Sequence, residues 1–362
     1  MQDSLDLRAL RDIGLSRDTV TAALARPRPD GTRLARVVQI QRDHLVVHDG
    51  IDAHPVVPWP TRRALEQECD SLVVGDWVWW RAAVCDDDRG WAVARLPARN
   101  RLTRRDPAGG RQGLVANIDT ALIVMGHDHD FNLRRLDRFL VLAHSADARV
   151  AIVLSKADAC ADVAGALARV RTHLGDARDD IAVLAVDARS PEAAQALAPR
   201  LVRGSTLVTL DSSGAGKSTL TNTLTGAGST TNTLREGDER GQYTTTVRTL
   251  HRTTQGACLI DTPGLRQLWL DADADTLHDA FPEIGTLALR CRYRNCRHAQ
   301  EPDCAVREQV PRERLVSFQK LLREANRESD DVFQRRRLAA EMKQRTRENR
   351  ARNAARAAGE ER

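Results

Sequence analysis

The sequence predicts a multidomain chain: a small N-terminal β-barrel, a doubly wound α/β domain carrying a phosphate loop, and a C-terminal helical segment organised by a metal cluster. Three observations predict it. Short β-rich runs between Leu34 and Leu96 are separated by Asp49-Gly50, Gly75-Asp76 and Arg89-Gly90. From Thr120 to Leu210, strand-like apolar runs alternate with amphipathic helical ones, which implies a parallel sheet with sites at the C-terminal ends of its strands. Cys291, Cys296, His298 and Cys304 crowd into one short segment.

At 362 residues the chain is long enough for two or three domains, each able to bury a core. Aromatic residues make up 4% and charged residues 29%, which suits a soluble protein rich in exposed helix. The start carries charges and no apolar run, and no later apolar stretch approaches about 18 residues, so a cytoplasmic location is expected and no membrane partner. Seven cysteines, an odd number of which only the last three cluster, argue against a disulfide framework. The whole chain has a formal charge of +5, yet Arg335 to Arg356 alone holds nine Lys/Arg against Glu341 and Glu348, a local +7. Basic character is concentrated in the tail, where a nucleic-acid backbone is a plausible partner.

Residues 1–30 read as a helical extension, in which Ser16 caps a helix through Val20 and Leu24 before Pro27 and Pro29 stop it. Residues 31–100 hold five strand-like runs: Leu34 to Val38, His44 to His48, Val56-Val57, Val73 to Trp80 and Trp91 to Ala94. That count suggests a small closed barrel, with an RNA-binding OB-fold as the expectation. Trp77 and Trp79 share one strand face and Trp80 takes the other. Such rings either fill a core or stack on bases, and at least one is expected to be exposed enough to stack. Pro107 to Gly113 is Gly-rich and reads as a linker or mobile loop. Residues 101–280 then carry the α/β alternation: strands at Thr120 to Met125, Val150 to Leu154, Ile181 to Val186 and Ser205 to Leu210, and helices at Arg134 to Ser145, Ala161 to Leu174 and Pro191 to Leu201. Residues 281–362 form the metal-binding segment and its basic helical tail.

Three motifs point to a nucleotide. Asp211-Ser212-Ser213-Gly214-Ala215-Gly216-Lys217-Ser218-Thr219 joins the strand pattern ending at Leu210 to a helix, as a P-loop must. Backbone N–H groups from Ser213 to Ser218 would cradle phosphates at the positive end of that helix, with Lys217 on the β and γ oxygens and Ser218 holding magnesium. Asp211 stands where GxxxxGK[ST] has its first glycine, and its carboxylate is expected to repel phosphate and weaken binding. Asp261-Thr262-Pro263-Gly264 follows the strand-like Ala257 to Ile260: Asp261 would reach magnesium through water, and the Gly264 N–H would contact the γ-phosphate until hydrolysis. Ser155-Lys156-Ala157-Asp158 fits [NTS]KxD, in which the Asp accepts from guanine N1 and N2, donors adenine lacks, while the Lys stem packs on the base. Asp187-Ala188 ends the next strand, where a second guanine-contacting loop is expected. Together these favour GTP over ATP. The usual order places the phosphate loop first and the base reader last; here the base reader leads, as in a circularly permuted domain.

That order resembles the RsgA family of small-ribosomal-subunit-dependent GTPases. The resemblance also rests on Val115-Ala116-Asn117-Ile118-Asp119, Asn132-Leu133-Arg134-Arg135-Leu136-Asp137-Arg138, Tyr243-Thr244-Thr245-Thr246 and the Cys291/Cys296/His298/Cys304 spacing, and it spans nearly the whole chain. It implies hydrolysis of GTP to GDP, stimulated by the 30S subunit with its 16S rRNA, during late maturation of that subunit. It also implies that one of Thr244, Thr245 and Thr246 meets magnesium and the γ-phosphate. Leu265 stands where most GTPases place a water-orienting Gln, and the family it resembles likewise carries an apolar residue there, so catalysis is expected to use another group. The family's histidine before the threonines is Tyr243 here, a phenol that orients water but is a poor base near neutral pH, so slow intrinsic turnover is expected.

Three cysteines and a histidine match a closed tetrahedral zinc site, structural because no position is left for water; a chance cluster of free thiols is the alternative. Arg290, Arg292, Arg294 and Arg297 interleave with the ligands, suited to RNA phosphates or simply solvated. In the tail, Arg336, Lys343, Arg347 and Arg350 fall near one helical stripe, either a frayed solvated helix or an arm that orders on rRNA. Nothing points to an oligomer, so a monomer is expected. Two other readings remain at this point: an RNA-docking assembly factor with a degraded nucleotide site, and a P-loop ATPase in which Ser155 to Asp158 is a coincidence.

Overall fold

A computed structural model describes residues 6–41, 43–58, 71–83, 89–105, 110–128, 130–175, 178–211, 214–227, 248–262 and 269–326. In the barrel, β1 (Arg33–Ile40), β2 (Leu45–His48), β3 (Ala53–Pro58), β4 (Trp77–Arg81) and β5 (Gly90–Arg95) pair in the order β1-β2-β3-β5-β4 and close through β1 and β4. Only β3 and β5 run parallel, which is the OB-fold arrangement. A bulge between Val37 and Gln39 bends β1 so that one strand serves both walls. Period-2 alternation points Ala35, Val37, Val47, Val56, Val78 and Trp80 into the barrel. Trp77 and Trp79 point outward, but Leu10, Ile13, Leu15 and Leu96 cover them. The expected stacking ring is therefore not found among these three, which are 1%, 4% and 2% exposed for Trp77, Trp79 and Trp80. The cause is the N-terminal extension, whose helices Leu7–Asp12 and Arg17–Leu24 lie over the barrel wall; the second is capped by Ser16 as its sequence suggests.

The α/β domain follows. Strands β6 (Arg101–Arg105) and β7 (Arg111–Ala116) form a hairpin, so the Gly-rich stretch read as a linker is already strand from Arg111 onward. The main sheet contains β8 (Thr120–Gly126), β9 (Arg149–Ser155), β10 (Ala182–Ala185), β11 (Thr206–Asp211), β12 (Thr249–Arg252) and β13 (Cys258–Asp261), in the order β10-β9-β8-β11-β13-β12. The first five in that row are parallel, and β12 is antiparallel to β13. Buried on both faces, β8 is apolar from Ala121 to Met125: Ile123 and Met125 join the core under helices Leu133–Ser145 and Val163–Leu174, while Leu122 and Val124 join the core under Glu192–Leu197 and Lys217–Thr225. β8 and β11 run parallel, but successive strands are added outward from β8 on one side and from β11 on the other, and this switch in strand order places a ligand crevice at their C-terminal ends. Beyond β12 the sheet continues into β1 of the barrel through the pair Gln39 and Thr249.

A short strand, β14 (Trp269–Leu270), pairs with β6, and Asp271 beyond it accepts from Thr103 and ion-pairs with Arg105 and Arg111. The C-terminal helices Ala274–Ala280, Pro282–Ala288, Ala305–Gln309 and 312–326 share the core of the first α/β face through Phe281, Ile284, Val306 and Phe318. A buried polar knot fixes them: Arg314 bonds Asp137, donates to Glu283 at 2.8 Å and lies 4.0 Å over the Phe281 ring, while His173 bonds Asp137 at 2.9 Å. This gives Asp137 of the Asn132 to Arg138 run a structural task. Among the described residues no helix is long and apolar enough to cross a membrane.

Arg36 joins barrel, extension and α/β domain. Fully buried, its guanidinium donates to Ile13 O (2.6 Å), Thr206 Oγ1 (2.9 Å), Asn117 O (3.1 Å) and Gly75 O (3.3 Å), all of them neutral acceptors. Asn117, at φ 56°, adds its own bonds to Gly75 O and the Arg99 N–H, so the Val115 to Asp119 run works as a joint between domains. Removing one side of a buried hydrogen-bond set leaves its acceptors desolvated and unmet. Arg36→Met is expected to lower the urea unfolding midpoint by the equivalent of about 2–4 kcal/mol, read by fluorescence of the tryptophans beside it.

Candidate nucleotide site and metal centre

The site is built at the C-terminal ends of β8, β9, β11 and β13. The phosphate loop leaves β11 at Asp211 and enters the helix Lys217–Thr225 through Gly214 (φ 93°) and Gly216 (φ 78°), left-handed conformations that favour glycine. Ser218 and Thr219 occupy the first helical turn. Ser155 closes β9 and is wholly buried; its hydroxyl donates to Ala215 O at 2.5 Å, with Met125 O 3.2 Å away. Lys156, itself left-handed at φ 61°, donates to Gly214 O at 2.8 Å and pairs with Asp128 Oδ2 at 2.6 Å. The loop after β9 and the glycine loop after β11 are thus joined directly. Ser155 serves as the clamp on the phosphate loop, and Asp128, which no motif singled out, holds the Lys156 ammonium from the end of β8.

The loop after β10 lies alongside: the Ala157 N–H donates to Val186 O, and Thr223 Oγ1 donates to Ala188 O at 2.6 Å. Asp158 and Asp187 sit together at its rim, both bonded to Arg189, at 2.6 Å through Nη2 and 3.3 Å through Nε. Ser212, Ser213, Tyr243, Thr244, Thr245, Thr246 and Gly264 lie outside the described residues, as do Trp59 and the tail beyond 326.

Lys217 is buried with its ammonium 2.9 Å from Asp261 Oδ1 and 3.7 Å from Asp211 Oδ1, and it also donates to Thr262 O. Thr209 and Thr262 brace this corner, Thr262 Oγ1 donating to Thr209 O at 2.6 Å. Asp211 Oδ1 is buried and has no hydrogen-bond partner among the described residues. Burial pushes the Asp211 carboxyl up to about 7, with Asp261 and Asp130 adding to the rise and Lys217 opposing it. The expected repulsion of phosphate is therefore softened, since near neutral pH a good part of Asp211 is protonated.

The four metal-cluster residues converge, with all ligand atoms within 4.8 Å of one another. Cys291 Sγ lies 3.9 Å from Cys304 Sγ and 3.7 Å from His298 Nδ1, and Nδ1 lies 3.4 Å from Cys304 Sγ. A tetrahedron with zinc–sulfur bonds of about 2.3 Å and a zinc–nitrogen bond of about 2.0 Å has edges of roughly 3.8 and 3.6 Å, so the residues fit the ion. Left-handed turns at His298 and Asp303 bring the ligands around. Arg290, Arg292, Arg294 and Arg297 are all exposed on this loop, Arg292 pairing with Asp303 at 2.7 Å.

The Asp211 carboxyl carries a pH signature. Its unfolded pKa is about 3.9, so the folded state holds the proton more tightly and loses stability as pH rises from about 4 through 7. Asp211→Asn is expected to leave the urea midpoint unchanged at pH 4 and to raise it by the equivalent of about 1–3 kcal/mol at pH 8.

Comparison with known proteins agrees with this geometry. A family model described as RsgA GTPase matches residues 95–271. A small ribosomal subunit biogenesis GTPase RsgA from Xylella fastidiosa (strain 9a5c) is 44% identical over 283 residues, 76% of this chain and 79% of that one. The protein of the same name from Xanthomonas campestris pv. campestris (strain B100) is 41% identical over 300 residues, 79% of each. Among solved structures, YjeQ from Thermotoga maritima superposes with a TM-score of 0.59 at 22% identity, covering 81% of this chain and 98% of that one. YloQ, described as a circularly permuted GTPase, gives 0.57 at 21% identity, covering 82% and 96%. By sequence across most of its length, and by a fold shared with both solved structures, the chain belongs to the RsgA GTPase family.

Proposed function

We propose that the chain hydrolyses GTP to GDP and phosphate as a switch in biogenesis of the small ribosomal subunit, the process named for its relatives. The observation that carries this reading is the clamp of Ser155 and Lys156 on the carbonyls of Ala215 and Gly214, which seats a guanine-reading loop on a phosphate loop although the chain makes them in inverted order. In this reading Asp158 accepts from guanine N1 and N2, the Lys156 stem lies along the base, and Asp187 and Ala188 form the second wall. N–H groups of residues 212–218 hold the phosphates. Lys217 would turn from Asp261 to the β and γ oxygens, leaving Ser218 to hold magnesium and Asp261 to reach it through water, with Thr219 alongside the phosphates. Magnesium, when bound, would supply positive charge that neutralises the phosphates. Tyr243 orients the water that attacks the γ-phosphorus, and Thr244, Thr245, Thr246 and Gly264 sense that phosphate before it leaves.

Cys291, Cys296, His298 and Cys304 would hold one zinc ion, which supplies a covalent-strength cross-link for a segment with little apolar sequence of its own. The 30S subunit and its 16S rRNA are the proposed partners of a monomeric, cytoplasmic protein. RNA contact then falls to the exposed arginines of the metal loop and to barrel surfaces other than Trp77, Trp79 and Trp80.

Turnover of GTP measured with and without 30S subunits, with ATP as control, tests the proposal. GTP hydrolysis is expected to be slow alone and at least about tenfold faster with subunits, with ATP untouched; Tyr243→Phe should lower the stimulated rate about tenfold and Lys217→Ala should abolish nucleotide binding. Equal rates with and without subunits would remove the switch role. For the metal, the purified protein should carry one equivalent of zinc by atomic emission. Chelation should lower the unfolding midpoint while GTP affinity stays within about a factor of three.

A further inference from the structure

At the opposite end of the α/β sheet from the nucleotide site lies a second charged concavity. There the helix Leu7–Asp12 ends against the turn at Gly204 and the starts of β11 and β13. Its position is fixed by several contacts. Arg36 donates to Ile13 O at 2.6 Å and the Cys258 thiol donates to Asp12 O at 3.8 Å. Gly204 approaches so closely that a Cβ there would lie 2.8 Å from Arg11 O. The Asp12 carboxylate takes both Nε and Nη2 of Arg203 at 2.7 Å and Nη2 of Arg252 at 3.3 Å.

Between helix and turn is a cavity of about 690 Å³ lined by Arg8, Arg11, Asp12, Leu15, Arg203 and Gly204. Three arginines face one aspartate, and that aspartate is already engaged by Arg203 and Arg252. The Arg203 hydrogen bond holds its carboxyl below the usual range. Arg8 and Arg11 are exposed, stand three apart on one helical face, and have no side-chain hydrogen-bond or ion-pair partner among the described residues. Two guanidinium groups without partners among the described residues therefore border a basic hollow whose wall is held rigid from behind.

We propose that this cavity docks the phosphodiester backbone of RNA. The inference rests on the proposed partnership with the small ribosomal subunit, whose surface is rich in RNA phosphate. Guanidinium forks match phosphate oxygens in geometry and charge. Leu15 alone gives the hollow an apolar wall, which leaves little to grip the side chains of a peptide. Nothing in it is placed to read a base edge, so the contact positions the protein without choosing a sequence. Because nucleotide binds at the other end of the strands, RNA and GTP occupy the protein together.

The test uses the full chain and a fluorescein-labelled unstructured RNA of about 20 nucleotides, titrated by anisotropy across a range of KCl. Arg8→Gln combined with Arg11→Gln should weaken RNA binding about tenfold or more near 100 mM salt and make the log–log salt slope shallower by about 1.4, roughly 0.7 per lost phosphate contact. GTP affinity should not change. RNA affinity and slope equal to wild type would overturn the proposal, as would loss of binding to a poly-glutamate peptide with RNA binding intact, which would assign the hollow to an acidic protein segment. Absence of 30S stimulation in the wild type would instead count against the proposed function, and leaves the RNA titration as a separate reading.

Discussion

The clamp between Ser155 and Lys156 on one loop and the carbonyls of Ala215 and Gly214 on another is the interaction on which the site depends. Strand order makes it possible. β8 lies between β9 and β11, so the loop leaving β9 must pass over the end of β8, where the His127 N–H donates to Ser155 O at 3.1 Å. Spatial adjacency is set by which strands pair, and pairing is indifferent to the order in which the chain visits them. A permuted chain therefore reaches the same crevice, provided these two side chains fasten the loops across the intervening strand.

Charge in the crevice is balanced within the protein itself. Lys217 rests between Asp261 and Asp211, deep enough that an uncompensated ammonium would be costly. In the proposed binding mode, phosphates would replace one set of oxygens by another, so the net gain of binding would be a difference between two well-matched states rather than the full attraction of a bare lysine. Asp211 belongs in that exchange. A glycine would leave Lys217 with one carboxylate; the aspartate supplies a second whose charge is only partly present near neutral pH.

Much of this was legible in the sequence because it is written locally. Alternation of apolar runs located β8 to β11 within a residue or two, and the phosphate loop, Asp261 and the metal-cluster residues announced themselves by spacing. What escaped depends on long-range packing. The burial of Trp77 and Trp79 follows from helices that precede the barrel, which no period within the strand can reveal. Arg36 meets Thr206 across 170 residues and Arg314 meets Asp137 across 177, so two residues with unremarkable neighbours in sequence became joints between domains. Arg8 and Arg11 lie in a segment from which the sequence yielded little function, and gain meaning only once the Gly204 turn stands opposite them.

The position of β11 has a consequence for how the molecule is made. It carries the phosphate loop in the middle of the sheet, pairing Leu207 with Thr120 on one side and Leu259 on the other. A nascent chain that has emerged only as far as the helix Lys217–Thr225 holds that loop on a strand with one flank bare, and the missing neighbour, β13, follows about thirty residues later in the sequence. The sheet around the loop is thus complete only once β13 has been made.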